Sequence, residues 1–278
     1  MQDPTIITID SGKSGKTLTI MAGVHGNEIC GPMALRQLIA MFNDNKLQLL
    51  SGKLRLIFAN LAAMAIGERQ TQMNMNRAFR PQSMLTNNED SSYERQRAAQ
   101  LMPYLAESDA LLDIHSSMTE KSKPFIICEP HSFSVTQRLP FLICSHGWDR
   151  IEPGGTDYFV NKSGGIGICI ECGYHLDPEA PGRAFDSALI FLKFFGAIEG
   201  EDPKINSSQK IIHAYDLYFS KVDFQRAESF DDFQQLKAGD LIGTDGGKEV
   251  RATDDFLIIF PNDCKTSGEE AFILGKFV

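Results

Sequence analysis

The sequence predicts an α/β fold, with a mixed and largely parallel sheet flanked by helices and a smaller all-β domain at the C-terminal end. Two observations indicate this fold. In the first two-thirds of the chain, short runs that are apolar on both faces alternate with longer helical patterns, as in parallel sheets covered on both sides. Later, short strands and turns replace the helical patterns. We therefore expect one domain over residues 1–200 and a second over residues 205–278.

The predicted elements of the first domain alternate along the chain. A buried strand over residues 17–23 precedes a helix over residues 31–42, where Pro32 suits the first helical turn. A helix over residues 93–107 is expected to bend at Pro103. The other predicted strands cover residues 54–60, 110–115, 125–128 and 167–171, and the other predicted helices cover residues 135–145 and 183–195.

A polar, turn-rich stretch over residues 200–208 separates the two predicted domains. Beyond it, the pattern predicts strands over residues 211–218, 240–243 and 256–260, with a turn at residues 245–247. This part of the chain is long enough to form a small β domain that docks on the larger one.

The composition is that of a globular protein and excludes several functions. The 278 residues carry 27 basic and 36 acidic side chains, a formal net charge of −9, without a basic stripe. Such a chain is not expected to bind nucleic acid or an anionic membrane. No apolar run reaches the ~18–20 residues of a membrane span, and residues 1–4 do not resemble the start of a signal peptide.

The cysteine content indicates where the protein acts. Six cysteines without a secretion signal are typical of reduced thiols in a cytoplasm. We therefore predict a cytoplasmic location, with a soluble enzyme as the starting expectation, and the sequence leaves open whether the chain forms a homo-oligomer.

Four polar motifs lie at the ends of predicted strands or in a loop between them. They cover residues 23–28, Arg69 with residues 74–77, residues 113–117 and residues 171–173. In an open α/β sheet, ligands collect outside the carboxyl ends of the strands. Three of these motifs follow strands, so we expect them to meet at one crevice although they are far apart in sequence.

The residue types in these motifs indicate a catalytic zinc site. His25, Glu28 and His115 supply the two imidazoles and one carboxylate that such a site uses, with one zinc ion per chain. Glu171 is then spare, and a carboxylate near zinc-activated water is a suitable general base. Each residue alone has an ordinary structural explanation; Glu28, for example, suits the first turn of a helix. Their combination at strand ends favours the zinc site.

Two arginines extend the predicted site. Arg69 and Arg77 are the cations expected where a carbonyl is polarised and a carboxylate is bound, and a guanidinium binds a carboxylate best as a bidentate fork. Taken alone, Arg77 would be interpreted as a surface ion-pair residue.

These motifs resemble those of the succinylglutamate desuccinylase and aspartoacylase family, whose members are relatives of the zinc carboxypeptidases. Residues 23–28 resemble the first zinc motif of the family, and residues 113–115 resemble the second. Glu171 corresponds to the catalytic glutamate of the family. The resemblance therefore implies a zinc carboxypeptidase-like fold.

The resemblance also implies roles for Arg69 and for residues 76 and 77, which lie in the loop-like motif described above. Arg69 lies seven residues before Asn76, the spacing between the carbonyl-polarising arginine of the family and its Asn-Arg pair. That pair holds the carboxylate of the leaving amino acid, which implies that Asn76 and Arg77 bind the substrate here.

The resemblance covers nearly the whole chain. Residues 152–156 resemble a loop of the desuccinylase branch, and residues 237–243 and 260–262 resemble the β domain that closes the site. It implies a zinc-dependent amidohydrolase that removes a short acyl group from an N-acyl amino acid, as with N-succinylglutamate or N-acetylaspartate.

The chain departs from the family in two places. Asn161 and Lys162 occupy the region of an additional substrate-binding arginine, and lysine is a point charge rather than a planar fork. No tyrosine follows Tyr218, although the aspartoacylase branch places a tyrosine from its terminal domain in the site. The resemblance thus implies the metal chemistry and leaves the acyl group and the amino acid open.

Three other functions fit parts of the sequence. A zinc carboxypeptidase would use the same residues on the C-terminal bond of a short peptide. A biotinyl or lipoyl carrier would need a lysine at a hairpin tip, where this chain has residues 253–255 without one. Redox chemistry at Cys169 and Cys172 is disfavoured because alternation along a strand puts these side chains on opposite faces.

Overall fold

The computed structural model describes residues 5–278, so the residues that bear on a signal peptide lie outside it. The helices are α1 (Cys30–Asn43), α2 (Leu61–Ile66), α3 (Asn87–Asp90), α4 (Tyr93–Ala106), α5 (Phe133–Thr136), α6 (Trp148–Ile151), α7 (Thr156–Lys162) and α8 (Ala180–Phe194). The strands are β1 (Ile6–Asp10), β2 (Thr17–Ala22), β3 (Lys53–Phe58), β4 (Ala110–Ser117), β5 (Phe125–Cys128), β6 (Ile143–His146), β7 (Ile166–Tyr174), β8 (Lys210–Phe219), β9 (Gln225–Arg226), β10 (Gln234–Leu236), β11 (Leu241–Asp245), β12 (Lys248–Arg251), β13 (Phe256–Ile259) and β14 (Glu270–Phe277).

Within residues 5–278, eleven strands form one mixed sheet in the order β1-β3-β2-β4-β7-β5-β6-β8-β14-β13-β10. Strands β3, β2, β4 and β7 are parallel to one another, and so are β5, β6 and β8, while β5 runs antiparallel to β7. The later strands β14, β13 and β10 pair antiparallel, and β12, β11 and β9 form a second small sheet. The predicted α/β fold with an antiparallel C-terminal region is confirmed.

The C-terminal strands extend the central sheet because β8 pairs in parallel with β6. The chain on both sides of the predicted boundary therefore shares one continuous sheet. The division into domains over residues 1–200 and 205–278 stays a prediction.

Side chains that alternate along β2 pack into two different cores. Leu18 and Ile20 lie in the core under α1 and α8, whereas Met21 lies in the core under α4 and α7. Each fully buried side chain of this size stabilises the fold by roughly 1.5–3 kcal/mol. Helices cover both faces of the parallel strands, as their apolar sequences predict. None of the helices formed by residues 5–278 has the length and apolar character to cross a lipid bilayer.

Most of the predicted elements are confirmed within a few residues, but the helix predicted over residues 135–145 is wrong. That stretch contains the end of α5, a break at Pro140 and the start of β6. Proline cannot donate the backbone hydrogen bond that a helix needs and disfavours the helical conformation of the residue before it. The following residues pair with β5 and β8, where Cys144 is fully buried.

Candidate metal and catalytic site

His25, Glu28 and His115 meet at the carboxyl ends of the parallel strands. His25 and Glu28 lie in the loop between β2 and α1, and His115 lies near the end of β4. One candidate ligand atom from each residue lies within 4.8 Å of the other two. All three side chains are buried, and Glu28 lies between the imidazoles, with Oε1 2.7 Å from His25 Nδ1 and Oε2 3.1 Å from His115 Nδ1. The sequence prediction of this cluster therefore agrees with its geometry.

Two glycines allow the first motif to adopt its conformation. Gly23 directly follows β2 and has a φ of +71°, in the left-handed region that other residues rarely adopt. Gly26 lies so close to α2 that an added Cβ would lie 2.1 Å from the carbonyl carbon of Ala63. A side chain at residue 26 would therefore push apart the loop that carries both His25 and Glu28.

The electrostatics of the cluster favour binding of a cation. Burial alone would raise the pKa of Glu28, but His25 and His115 lower it well below its ordinary value. Burial lowers the pKa of His25, which favours the neutral imidazole that can donate a lone pair. Two imidazoles and one carboxylate are the protein ligands of many catalytic zinc sites, so the donor set fits zinc.

Further contacts orient the two imidazoles. His115 Nε2 lies 3.0 Å from Asp113 Oδ2, and the Thr156 hydroxyl donates to the same carboxylate. His25 Nε2 lies 3.0 Å from Asn74 Oδ1. Such partners set the orientation and tautomer of a metal-binding histidine. The contact of Asp113 with His115 could have been predicted from sequence, because residues two apart in a strand share a face. Nothing in the local sequence around Thr156 indicates that it contacts Asp113.

Glu171 lies beside this cluster because β7 is the neighbour of β4. His115 and Glu171 are direct partners in the parallel register. Glu171 is 8 % exposed and accepts a hydrogen bond of 3.0 Å from the Ser117 hydroxyl. Burial and the nearby Glu28 raise the pKa of Glu171 to about 7. A carboxylate that titrates near neutrality can both accept and return a proton.

Arg69 reaches the same cluster from the loop after α2. Its Nη1 atom lies 3.8 Å from Glu28 Oε1, and its carbonyl accepts a hydrogen bond of 3.2 Å from the Gly26 amide. The Arg69 side chain is 42 % exposed, so the guanidinium borders the open side of the site.

Asn76 and Arg77 lie in a short 3₁₀ helix that directly follows Asn74. Arg77 is ion-paired with Glu152, and its Nη2 atom lies 3.0 Å from both carboxylate oxygens of Glu270. Asn76 Oδ1 is buried and has no hydrogen-bond partner within the described part of the chain. The sequence prediction did not include Glu152 or Glu270 as partners of Arg77. Glu270 is 193 residues away in the chain, and only the pairing of β14 with β8 brings it here.

Six of the seven predicted site residues line one cavity of about 520 Å³, a size suited to a small-molecule ligand, and the seventh, His115, contacts the lining residue Glu28. The cavity is bordered on one side by residues of the C-terminal strands, including Leu217, Glu270 and Ile273. Asn161 and Lys162 are not among its lining residues: Asn161 bonds to Asp149 and to the Gly167 amide, and Lys162 lies over the ring of Tyr158.

The six cysteines are buried and none forms a disulfide. Cys169 belongs to the core that includes Trp148, whereas Cys172 belongs to the core under α1 and α8. The two side chains therefore lie on opposite faces of β7, as predicted. This geometry does not favour a thiol pair at residues 169 and 172.

Replacement of Asp157 by asparagine is expected to stabilise the protein at alkaline pH. Burial and the nearby Asp149 raise the pKa of this α7 carboxyl from 3.8 to about 7. Between these values the folded protein holds a proton that the unfolded chain has released, so this group lowers stability as the pH rises from about 4 to 7. We expect Asp157→Asn to raise the free energy of unfolding by roughly 1–4 kcal/mol at pH 8 and much less at pH 4.5.

Urea denaturation of both proteins at the two pH values measures this effect. Equal differences between variant and wild type at pH 4.5 and pH 8 would contradict the interpretation, because asparagine does not titrate.

Comparison with solved structures identifies the fold. The chain superposes on a succinylglutamate desuccinylase from Vibrio cholerae with a TM-score of 0.80 and 17% sequence identity, covering 99% of this chain and 86% of the other. The desuccinylase from Silicibacter sp. TM1040 gives a TM-score of 0.73 and 22% identity, covering 98% and 88%. The product-bound ectoine utilization protein of Ruegeria pomeroyi gives a TM-score of 0.72 and 21% identity, and the match covers 97% of this chain and 88% of the other. The class is therefore the α/β fold shared by desuccinylases and aspartoacylases.

Sequence comparison then identifies the family. Residues 14–179 match the family model described as the succinylglutamate desuccinylase/aspartoacylase catalytic domain. The chain belongs to this family, which supports hydrolysis of N-acyl amino acids as its class of activity. Curated relatives include the succinylglutamate desuccinylases of Serratia proteamaculans, 26% identical over 268 residues (89% of this chain, 80% of the relative), and of Pseudoalteromonas atlantica, 25% identical over 300 residues (94% and 81%).

Proposed function

We propose that this protein is a zinc-dependent amidohydrolase that removes a short acyl group from an N-acyl amino acid resembling N-succinylglutamate or N-acetylaspartate, in the cytoplasm. The observation that carries the proposal is the buried cluster of His25, Glu28 and His115, which faces a small-molecule cavity together with Glu171. The family of the chain and the names of its curated relatives support the same chemistry.

His25, Glu28 and His115 would hold one zinc ion per chain. When bound, zinc supplies Lewis-acid chemistry, lowering the pKa of water toward neutrality and polarising a carbonyl. Three protein ligands are the number that catalytic zinc sites commonly use. An ionised Glu28 and a neutral His25, both favoured by the local electrostatics, are forms that bind a metal, whereas His115, whose pKa is raised well above its ordinary value, would release a proton on binding one.

Glu171 carries the proton in the proposed reaction. Its carboxylate accepts a proton from the attacking water and then gives that proton to the departing amine, so the carboxylate is regenerated. The Ser117 hydroxyl keeps one oxygen of Glu171 in place. Arg69, at the open side of the cluster, stabilises the negative charge that develops on the carbonyl oxygen during attack.

Asn76 and Arg77 would bind the carboxylate of the leaving amino acid. Both residues line the cavity, and the Arg77 guanidinium is held in position by Glu152 and Glu270. A fixed planar fork is suited to a carboxylate. Binding there would hold the leaving amino acid in the cavity that also exposes His25 and Glu28.

Replacement of Arg77 by lysine is expected to raise KM by about 10–100-fold with a smaller change in kcat, because lysine loses the bidentate geometry but keeps the charge. Steady-state kinetics with the N-acyl amino acid that the wild type hydrolyses fastest measures the effect. Arg55→Lys is the matched control, since Arg55 is also a buried, ion-paired arginine but does not line the cavity. Equal KM values for Arg77→Lys and wild type would contradict the role.

Metal analysis combined with a substrate panel tests the proposed function. The panel contains N-succinylglutamate, N-acetylaspartate, other N-acetyl amino acids and short peptides with free C-termini. We expect bound zinc and hydrolysis of N-acyl amino acids that a chelator abolishes and zinc restores. Faster hydrolysis of the peptides would instead identify a carboxypeptidase, and turnover insensitive to the chelator would contradict the proposal.

A further inference from the structure

We propose that Glu94 is a positioning residue, which holds the loop over residues 69–74 so that Arg69 and Asn74 reach the metal cluster. The inference rests on the proposed function for the roles of these two side chains. Glu94 lies in the first turn of α4, does not line the cavity and is fully buried. Its influence on the reaction must therefore pass through the residues that it contacts.

Glu94 binds the middle of this loop with both carboxylate oxygens. Its Oε1 atom accepts hydrogen bonds of 2.6 Å from both the amide and the hydroxyl of Thr71. Its Oε2 atom accepts bonds of 3.2 Å from the amides of Gln72 and Met73. Three consecutive backbone amides therefore converge on one carboxylate, which fixes the path of the loop.

The two ends of the loop contact the metal cluster. On one side, the Arg69 carbonyl accepts a hydrogen bond from the Gly26 amide, next to His25. On the other side, Asn74 Oδ1 lies 3.0 Å from His25 Nε2 and accepts a bond of 2.9 Å from the Asn76 amide. A shift of the loop would therefore move Arg69 and release the partner that orients His25.

A second path leads from Glu94 to the same cluster. Asn60 Nδ2 lies 3.4 Å from Glu94 Oε1, and Asn60 Oδ1 caps α2 by accepting from the Ala63 amide. The backbone of Ala63 packs against Gly26. Glu94 thus supports both elements that surround the loop of His25, namely residues 69–74 and α2.

Only an ionised carboxylate suits this position. A carboxylate offers acceptors alone, whereas an amide presents two N–H groups, at least one of which would face other donors. Burial by itself would raise the pKa of Glu94, but hydrogen bonds from Thr71 lower it below its ordinary value. Glu94→Gln therefore keeps the size of the side chain and removes the interaction.

Asp245 provides a matched control within the same chain. Its buried carboxylate accepts hydrogen bonds from the consecutive amides of Lys221, Val222 and Asp223 and from the Tyr218 hydroxyl. The arrangement repeats the chemistry of Glu94 in the C-terminal region, away from the cavity. Asp245→Asn should therefore cost stability in the same way without affecting the metal cluster.

The experiment compares wild type, Glu94→Gln and Asp245→Asn, each alone and combined with Arg69→Ala. The substrate is N-acetylaspartate or N-succinylglutamate, whichever the wild type hydrolyses faster. We expect Glu94→Gln to lower kcat/KM about 100-fold in the folded, zinc-loaded protein, the scale of loss from displaced catalytic groups. In the Arg69→Ala background the further loss should be about tenfold or less, because the part of the effect that passes through the Arg69 side chain is already absent. Asp245→Asn should stay within about twofold of its parent in both backgrounds.

Amide hydrogen exchange gives a readout that needs no turnover. The amides of residues 71–73 should exchange at least about tenfold faster in Glu94→Gln than in the wild type. In Asp245→Asn, the amides of residues 221–223 should show the faster exchange instead. If Glu94→Gln does not fold, Thr71→Val removes one donor to Glu94 and should give smaller changes of the same kind.

Three outcomes would overturn the role of Glu94. They are a kcat/KM within about twofold of wild type despite a lowered melting temperature, full additivity with Arg69→Ala, and unchanged exchange at residues 71–73. If the wild type hydrolyses no N-acyl amino acid, the proposed function fails. The role of Glu94 is then decided without turnover. Hydrogen exchange at residues 71–73 reports on the loop, and a change in the absorption spectrum of bound Co²⁺ between wild type and Glu94→Gln reports on the position of His25.

Discussion

Glu171→Gln is expected to lower kcat by about 10³-fold while the protein still binds zinc and keeps its fold, because loss of a general acid–base group typically costs 10²–10⁴-fold. Glutamine has the shape of glutamate but cannot take a proton from water at neutral pH. Glu171 does not belong to the cluster of His25, Glu28 and His115, so metal binding should persist. Steady-state kinetics, metal analysis and thermal melting of the purified variant measure the three quantities.

Two companion variants make the result for Glu171 specific. Ser117→Ala removes the hydroxyl that donates to Glu171 and should cause a smaller loss of kcat. Glu129→Gln changes a carboxylate outside the cavity, which accepts from the Asp149 amide, and should leave kcat near the wild-type value. A Glu171→Gln protein with wild-type kcat would exclude Glu171 as the proton carrier.

His115→Ala is expected to abolish both zinc binding and hydrolysis. The variant removes one of three candidate ligands and also one of the partners that keep the buried Glu28 carboxylate ionised. Loss of a supporting partner alone typically costs 10–100-fold in metal affinity, so loss of a ligand should cost more than about 100-fold. Zinc affinity by competition with a chelating dye and turnover at saturating zinc test the two expectations.

His213→Ala is the matched control for His115→Ala. His213 is a partly buried histidine on β8 that stacks on His146 and lies outside the cavity. The His213→Ala variant should bind zinc and hydrolyse the substrate like the wild type. A His115→Ala protein that retains zinc and activity would remove the basis of the proposed metal site.

Much of the candidate site could be predicted because its residues lie in short motifs at strand ends. His25 and Glu28 are three residues apart in one loop, and His115 and Glu171 each end an apolar run. Polar side chains directly after buried strands of a parallel sheet face a common edge, so their meeting follows from the pattern. The cluster and the cavity agree with that prediction, whereas the catalytic and binding roles stay proposals.

Other features were predicted less well. The helix predicted over residues 135–145 was wrong because Pro140 breaks it, and the apolar run over residues 141–144 leads into β6, which pairs with β5 and β8. Asn161 and Lys162 stand where sequence suggests a substrate contact, yet the course of α7 points them to Asp149 and Tyr158.

The sequence by itself determined the α/β class, the strands that carry the site and the three candidate metal ligands, because apolar alternation and short polar motifs are local properties of the chain. Only the tertiary structure decided that Glu270 pairs with Arg77 and that Glu94 supports the loop of Arg69 and Asn74. These contacts join residues that no periodicity relates. They depend on strand order and on the path of loops, which the packing of the whole sheet sets.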